Sequence, residues 1–390
     1  MRIFVIAGEA SGDKLGAALM QGLQELVPEV TFNGIGGPRM IDEGLHSLFP
    51  MDEISLMGIS EILSQYFSLK ARIRETAEAV IAAQPDVLVT IDLPEFSLRV
   101  AKLVKDRSDI RIVHYVAPTV WAWRPGRAAK MARHVDQVLA LFPFEPPYME
   151  AAGMRCDFVG HPVVTDPQAS AADVARFRLT YGLGEAPMLL ILPGSRRSEV
   201  SRLAPVFGEV IGRLHKARPD LRFVLPAAAP VAGLVQELVS DWPGRPTVLD
   251  PRDLGAEAAV TKRSAFAAAD VALAASGTVS LELAAAGTPM VVAYDMNWLS
   301  RQIIGRMLRV DTVTLVNLVS ESRVVPEFIG KNCRPAPIAQ SVQQVLESPQ
   351  GQARAMALTM DKLGLGGPPP GLRAAQAVLD GIAAGQGRRL

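Results

Sequence analysis

The stretch MLLILPGSRR, from Met188 to Arg197, sets an uninterrupted apolar run against a glycine turn and two cations. Apolar residues that follow one another without polar alternation describe a strand buried on both faces, the condition of a parallel sheet covered by helices. Pro193 and Gly194 end that strand, and residues 203–218 beyond them carry helical spacing. The same strand, turn and helix open the chain, where IFVIAG precedes a helical stretch over residues 14–26. The pattern recurs at VLVTIDLP, followed by a helical stretch over residues 98–105, and at IRIVHYV, QVLALFP, RFVLPAA, VALAAS and PMVVAY. Repeated βα units with right-handed crossovers make an α/β protein of doubly wound parallel sheets.

Residues 165–187 are polar and broken by Pro and Gly, and Met188 restarts the βα logic of Ile3, so two domains are expected, over residues 1–164 and 165–366. The segment LGLGGPPPG, inside residues 362–372, is too rich in Pro and Gly for helix and reads as a crossover linker. A last helix over residues 372–384 would return to the first domain, which then also takes residues 367–390. A chain of 390 residues, 49% hydrophobic, suffices for two such cores.

Forty basic and 40 acidic residues cancel, so any attraction for phosphate is local and nucleic acid is not an expected partner. Cys156 and Cys333 lack CxxC spacing and read as packed thiols in a reducing compartment. The first strand begins directly after Met1 and Arg2, which predicts no secretory signal and a cytoplasmic location. No apolar run reaches the roughly 18 residues of a spanning helix. The chain carries no DxD and no HxxxH, which disfavours a metal-held diphosphate and predicts no metal or other cofactor.

In open α/β sheets ligands meet the loops after strands. The loop Gly8-Glu9-Ala10-Ser11-Gly12-Asp13-Lys14 is a glycine turn before a helix but not a Walker A loop, and Gly34-Ile35-Gly36-Gly37-Pro38 is a second such turn. Ligand contact and a purely structural turn are both open for them. Asp92, in IDLPEF, ends an apolar strand, where a carboxylate acts either as general base or as the cap of the next helix. Gly194, Ser195 and Arg196 begin a helix, a place suited to a diphosphate unless Arg196 is only a solvated charge. Ser276, Gly277 and Thr278 form a similar turn, with Glu282 placed to accept ribose hydroxyls. For His161 in FVGHP, structural and catalytic roles stay open. For Trp121 and Trp123 in VWAWR the plain account is core packing. Ile59, Ile62, Leu63, Tyr66, Phe67 and Ile73 form an apolar stripe at helical spacing, followed by Lys70, Arg72 and Arg74. Such a stripe suits either a core or an anionic lipid surface.

Together, GEASGD, GIGGPRM, SLMGISEIL, IDLPEF, HYVAPTVWAWR, LFPFE, FVGHP, LPGSR, ASGTVSLE and TPMVVAY resemble the lipid-A-disaccharide synthase family, from the first strand to Glu327. The resemblance implies a GT-B fold, with two Rossmann-like domains facing a cleft and a C-terminal helix returning to the first. It implies metal-independent, inverting transfer from UDP-2,3-diacylglucosamine to 2,3-diacylglucosamine 1-phosphate, giving a β-1′,6-linked disaccharide 1-phosphate and UDP. Asp92 would be the base and Arg196 the diphosphate partner; Gly194, Ser195, Ser276, Gly277, Thr278, Glu282 and Asn317 would hold the donor. Glu9, Ser11, Gly12 and Asp13 would form an acceptor loop. The apolar stripe would meet the inner face of a Gram-negative cytoplasmic membrane. Val316, Asp295 and Gly330 stand where the family commonly has other residues. A UDP-N-acetylglucosamine 2-epimerase would share the fold and nucleotide half, without a use for the stripe or VWAWR; a non-catalytic sugar-nucleotide sensor would not need Asp92.

Overall fold

The computed structural model describes residues 1–55, 66–124, 126–296 and 310–386. The chain divides into two compact units, Met1–Thr165 with Gly366–Leu390, and Asp166–Leu365. In the first, seven parallel strands are β1 (Arg2–Ala7), β2 (Thr31–Ile35), β3 (His46–Ser47), β4 (Val87–Ile91), β5 (Arg111–Tyr115), β6 (Gln137–Ala140) and β7 (Arg155–Phe158), in the order β3-β2-β1-β4-β5-β6-β7. In the second, six are β8 (Met188–Leu192), β9 (Arg222–Pro226), β10 (Thr247–Leu249), β11 (Val271–Ala274), β12 (Met290–Tyr294) and β13 (Glu327–Ile329), in the order β10-β9-β8-β11-β12-β13. Each sheet therefore reverses its winding once, between β1 and β4 in the first unit and between β8 and β11 in the second. Each is Rossmann-like.

Both faces of the sheets are covered, as the apolar runs require. In the first unit Ile6, Leu88, Ile112 and Val138 pack with Phe96 and Val100 of the helix Pro94–Lys105. In the second, Leu189, Ile191 and Leu273 pack with Phe207 and Ile211 of the helix Arg197–Ala217. Burial of such side chains is worth roughly 1.5–3 kcal/mol each.

The C-terminal helix, Pro370–Gln386, lies in the first unit, against the helix Ala10–Leu26. It begins at Pro370, two residues earlier than the composition predicts, because the fixed φ of proline and its missing N–H suit the first helical position. Polar contacts hold it: the Gln137 side chain donates to the Ala377 carbonyl at 2.8 Å, and Arg373 donates to the Phe158 carbonyl at 2.8 Å. The two helices touch backbone to backbone. A Cβ on Gly371 would lie 2.4 Å from the Ala18 carbonyl oxygen.

Of the apolar stripe, Ile59, Ile62 and Leu63 lie outside the described residues, and Tyr66 and Phe67 start the helix Tyr66–Ala83. Its last member, Ile73, is 5% exposed and belongs to the core, and Arg72 pairs with Glu53 and Glu75 while stacking on Phe49. The lipid-facing reading is therefore corrected at Ile73 and Arg72. The turn of helix around them points its apolar side inward.

Gly371→Ala should lower unfolding stability by roughly 1–3 kcal/mol in urea denaturation, although alanine gains about 1 kcal/mol in helix propensity. Gly385→Ala is the control, since its Cβ would meet nothing closer than the Arg111 guanidinium at 3.6 Å. Equal effects from the two changes would contradict the close helix contact.

Candidate active site

In the first unit, β1 and β4 end side by side at the winding reversal, and Asp92 leaves the end of β4. Asp92 and Leu93 adopt φ of 49° and 48°, and the Asp92 N–H donates to the Tyr115 carbonyl at 2.9 Å. Two successive left-handed residues other than glycine are costly, and such strain gathers at functional sites. The next helix has Leu93 as its N-cap and no side-chain cap. The capping role for Asp92 is thereby closed. Its carboxyl is raised above the ordinary carboxylate range, first by burial, with the Leu93 backbone N–H pulling partly the other way.

Asp13 is not an acceptor-facing residue. Its carboxylate accepts from Gly37 N at 2.9 Å, Met40 N at 3.1 Å and Arg39 N at 3.1 Å, and it is 3% exposed. These are the orphan donors of the short helix Pro38–Asp42, so GEASGD and GIGGPRM hold each other. Gly12 is buried beside Ala7 and Ile91, whereas Glu9 and Ser11 are exposed at the start of their helix.

Two buried titratable groups escaped the motif search. His114, on β5, is 2% exposed and shares a 2.8 Å hydrogen bond with Thr90; burial holds its pKa down at about 4. A polar residue inside the apolar run IRIVHYV was the available signal. Glu145, in LFPFE, is 2% exposed, accepts from Leu141 N at 3.1 Å and Phe142 N at 3.0 Å, and has the Trp121 indole beside it. Burial lifts its pKa to about 7. Trp121 packs edge-on to Phe144, which stacks on Phe142, and His161 follows in contact with Phe142. Core packing is thus the correct account of Trp121. His161 is 8% exposed and its Nδ1 accepts from Val163 N at 3.2 Å, a structural arrangement.

In the second unit the loops after β8 and β11 converge on a pocket of about 460 Å³. Gly194, Ser195, Arg196, Ser276, Gly277, Thr278 and Glu282 all line it, joined by Glu199, Lys262 and Phe266, which sequence reasoning missed. Gly194 turns the chain with φ of 117°, and a Cβ there would meet a Glu199 carboxylate oxygen at 2.6 Å. That carboxylate accepts from Ser195 N at 3.2 Å and Arg196 N at 3.3 Å and pairs with the Arg196 guanidinium at 3.3 Å. The phosphate-type donors therefore hold an internal carboxylate. Arg196 itself is 80% exposed along its side chain, and Lys262 pairs with Glu282 at 2.6 Å.

Asn317 lies elsewhere. It is 1% exposed, donates to the Val325 carbonyl at 2.9 Å and to Glu327 at 2.8 Å, and accepts from Val325 N at 3.0 Å. Its amide holds the approach to β13, and it does not line the pocket formed by the loops after β8 and β11. Of the three departures, Val316 is fully buried, Gly330 has φ of 58°, and Asp295 accepts from Met296 N at 2.8 Å. Cys156 and Cys333 are free thiols, and burial pushes Cys156 up to about 12.

Two Rossmann-like domains, one with a strand-end carboxylate and one with a pocket at the loops after β8 and β11, define a protein of the GT-B class of α/β folds. The fold likeness extends to the UDP-GlcNAc 2-epimerase of Neisseria meningitidis, with TM-score 0.62 at 13% identity over 98% of this chain and 100% of that one. It extends also to Acinetobacter baumannii MurG, with TM-score 0.51 at 14% identity, over 98% and 99% of the two chains. The family model for lipid-A-disaccharide synthetase matches residues 3–367. The lipid-A-disaccharide synthase of Ruegeria pomeroyi is 64% identical over 97% of this chain and 95% of its own, and that of Rhodospirillum centenum 46% identical over 97% and 94%. The chain belongs to the lipid-A-disaccharide synthase family and is a glycosyltransferase.

His114 and Glu145 oppose each other in pH dependence. His114, at about 4 against an ordinary 6.5, contributes stability fully above pH 6.5 and loses it as pH falls toward 4. Glu145, at about 7 against 4.5, contributes fully below pH 4.5 and loses it as pH rises through 7. Glu145→Gln, which keeps an acceptor oxygen, should therefore gain on the parent between those two values by on the order of 3 kcal/mol. Urea titrations at a series of pH values check this, and a gap independent of pH would contradict a buried, titrating Glu145.

Proposed function

We propose that the chain joins UDP-2,3-diacylglucosamine to 2,3-diacylglucosamine 1-phosphate, with inversion, releasing UDP and the β-1′,6-linked disaccharide 1-phosphate. The observation that carries the reading is the convergence of the LPGSR and SGT loops, with Glu282, on one pocket in the second unit. A diphosphate in that pocket would take the N–H groups of Ser195 and Arg196 in place of the Glu199 carboxylate, and Arg196 would move its charge onto the leaving group. Such charge-assisted bonds are worth roughly 1.5–3 kcal/mol each and grow as negative charge develops on UDP. Glu282 is placed to accept ribose hydroxyls. In the first unit, Asp92 takes the proton of the acceptor's 6-hydroxyl as its oxygen attacks the anomeric carbon. The carbon–oxygen bond to UDP breaks on the opposite face. Base catalysis of this kind contributes roughly 10²–10⁴ in rate. Arg196 and the N–H donors would supply the charge stabilisation without a metal ion.

Incubating the protein with both lipid substrates in detergent and excess chelator, followed by mass spectrometry, should yield disaccharide monophosphate and equimolar UDP. Unchanged substrates, with conversion of UDP-N-acetylglucosamine to its 2-epimer, would replace this reading by the isomerase. Asp92→Asn should abolish turnover and leave UDP affinity within about twofold, and the parent's kcat/KM should fall as pH drops through a pKa above the ordinary carboxylate range. A near-normal rate in that variant would remove Asp92 as the base.

The acyl chains of these substrates place the enzyme at the cytoplasmic face of the inner membrane, as a peripheral protein. No helix among the described residues is long and apolar enough to cross a membrane. The stripe of Ile59, Ile62, Leu63, Tyr66 and Phe67 has the composition for such contact. Ile62→Ser with Phe67→Ser should reduce sedimentation with anionic vesicles while leaving the unfolding midpoint unchanged; a lowered midpoint would assign the pair to the core.

A further inference from the structure

The loop leaving β5 carries a feature that the reaction as described above leaves without a role. Trp123 is gripped by two guanidinium groups, Arg124 at 4.4 Å and Arg127 at 5.5 Å from its ring centroid. Its indole N–H donates to the Thr119 hydroxyl at 3.0 Å, which fixes the ring and so the two cations upon it. Neither guanidinium has a carboxylate partner among the described residues. The loop is bounded by two strained residues, Val116 with φ of 84° and Arg124 with φ of 50°. It starts beside the proposed base, because Tyr115, the last residue of β5, accepts the Asp92 N–H at 2.9 Å. Two guanidiniums gathered on one ring without a carboxylate partner, in a chain without net charge, make a local seat for a doubly charged anion.

We propose that Arg124 and Arg127, held on Trp123, bind the phosphomonoester of the acceptor lipid. The inference rests on the reaction proposed above, in which the acceptor sugar carries its phosphate on the anomeric carbon and its reacting hydroxyl on the hydroxymethyl group beyond the ring oxygen. Anchoring that phosphate on the β5 loop turns the hydroxyl toward the strand end that bears Asp92. The pair thus selects the acceptor and excludes the donor sugar from its place, since the donor's anomeric carbon carries a bulkier UDP. The Arg forks supply planar, bidentate donors, which a lysine supplies only as a point charge. Phosphate is also the headgroup chemistry of a bilayer, so the test separates the two sources.

Initial rates are measured in detergent with saturating UDP-sugar, using the acceptor with and without its anomeric phosphate, for the parent and for Arg124→Gln/Arg127→Gln. The double variant should raise KM for the phosphorylated acceptor by about 10- to 100-fold, leave KM for the UDP-sugar unchanged, and treat the two acceptors alike. Arg124→Lys and Arg127→Lys should recover part of the loss, and the single Arg127→Gln variant carries the same comparison if the double variant does not fold. An undiminished preference for the phosphorylated acceptor overturns the inference, as does an equal loss with both acceptors. So does weakened sedimentation with anionic vesicles beside an unchanged acceptor KM, which would assign the pair to bilayer phosphate. Absence of product from the parent with either acceptor overturns the reaction itself and this inference with it.

Discussion

A parallel sheet must be covered on both faces, because its strands are joined by helices that cross back over it. That constraint empties the sheet faces of chemistry and leaves only the carboxyl ends of the strands for function. In this chain it operates twice. Asp92 leaves β4 at the first reversal of winding, and the LPGSR and SGT loops leave β8 and β11 at the second. The helices on the sheet can diverge only there, so there the backbone opens to a ligand.

Two of the polar groups that enter the cores, Asp13 and Asn317, are held by the protein's own hydrogen bonds. Asp13 takes three backbone donors and Asn317 spends its amide on Val325 and Glu327. Leaving such groups unpaired would cost roughly 1–3 kcal/mol apiece. Glu145 and His114 follow the other route, burial in the uncharged form, with opposite signs of pH dependence. Asp92 stands between these cases, half-buried and only partly answered by the Leu93 N–H, the condition of a carboxylate that still has a proton to take.

At the donor pocket, anion affinity is already present in the protein's own terms. The Glu199 carboxylate lies against the Ser195 and Arg196 N–H groups, where a helix start favours negative charge. The diphosphate proposed for this pocket would compete with a tethered monoanion and offer more charge and more acceptor oxygens, and Arg196 is exposed enough to follow it. A pocket whose donors are never left bare avoids the cost of empty, unsatisfied groups.

Much of this was legible in the chain alone. Continuous apolar strands spelled out the doubly wound sheets because burial on both faces forbids alternation, and the loops of Asp92 and Arg196 could be placed at strand ends for the same reason. Gly194, Ser195, Ser276, Gly277, Thr278 and Glu282 could be grouped for the same reason. What sequence could not decide was how each polar group is satisfied. Asp13 and Asn317 read as ligand residues by motif, yet their partners lie 24 to 27 and 8 to 10 residues away. Glu145 is a buried acid and Glu199 holds the Ser195 and Arg196 N–H groups, neither of which a local motif signals. Ile73 belongs to a stripe that suited either a core or a lipid surface, and it lies in the core. Strand identity follows from local side-chain period, a property of neighbours in the chain, whereas hydrogen-bond satisfaction and burial depend on groups that only the tertiary fold brings together.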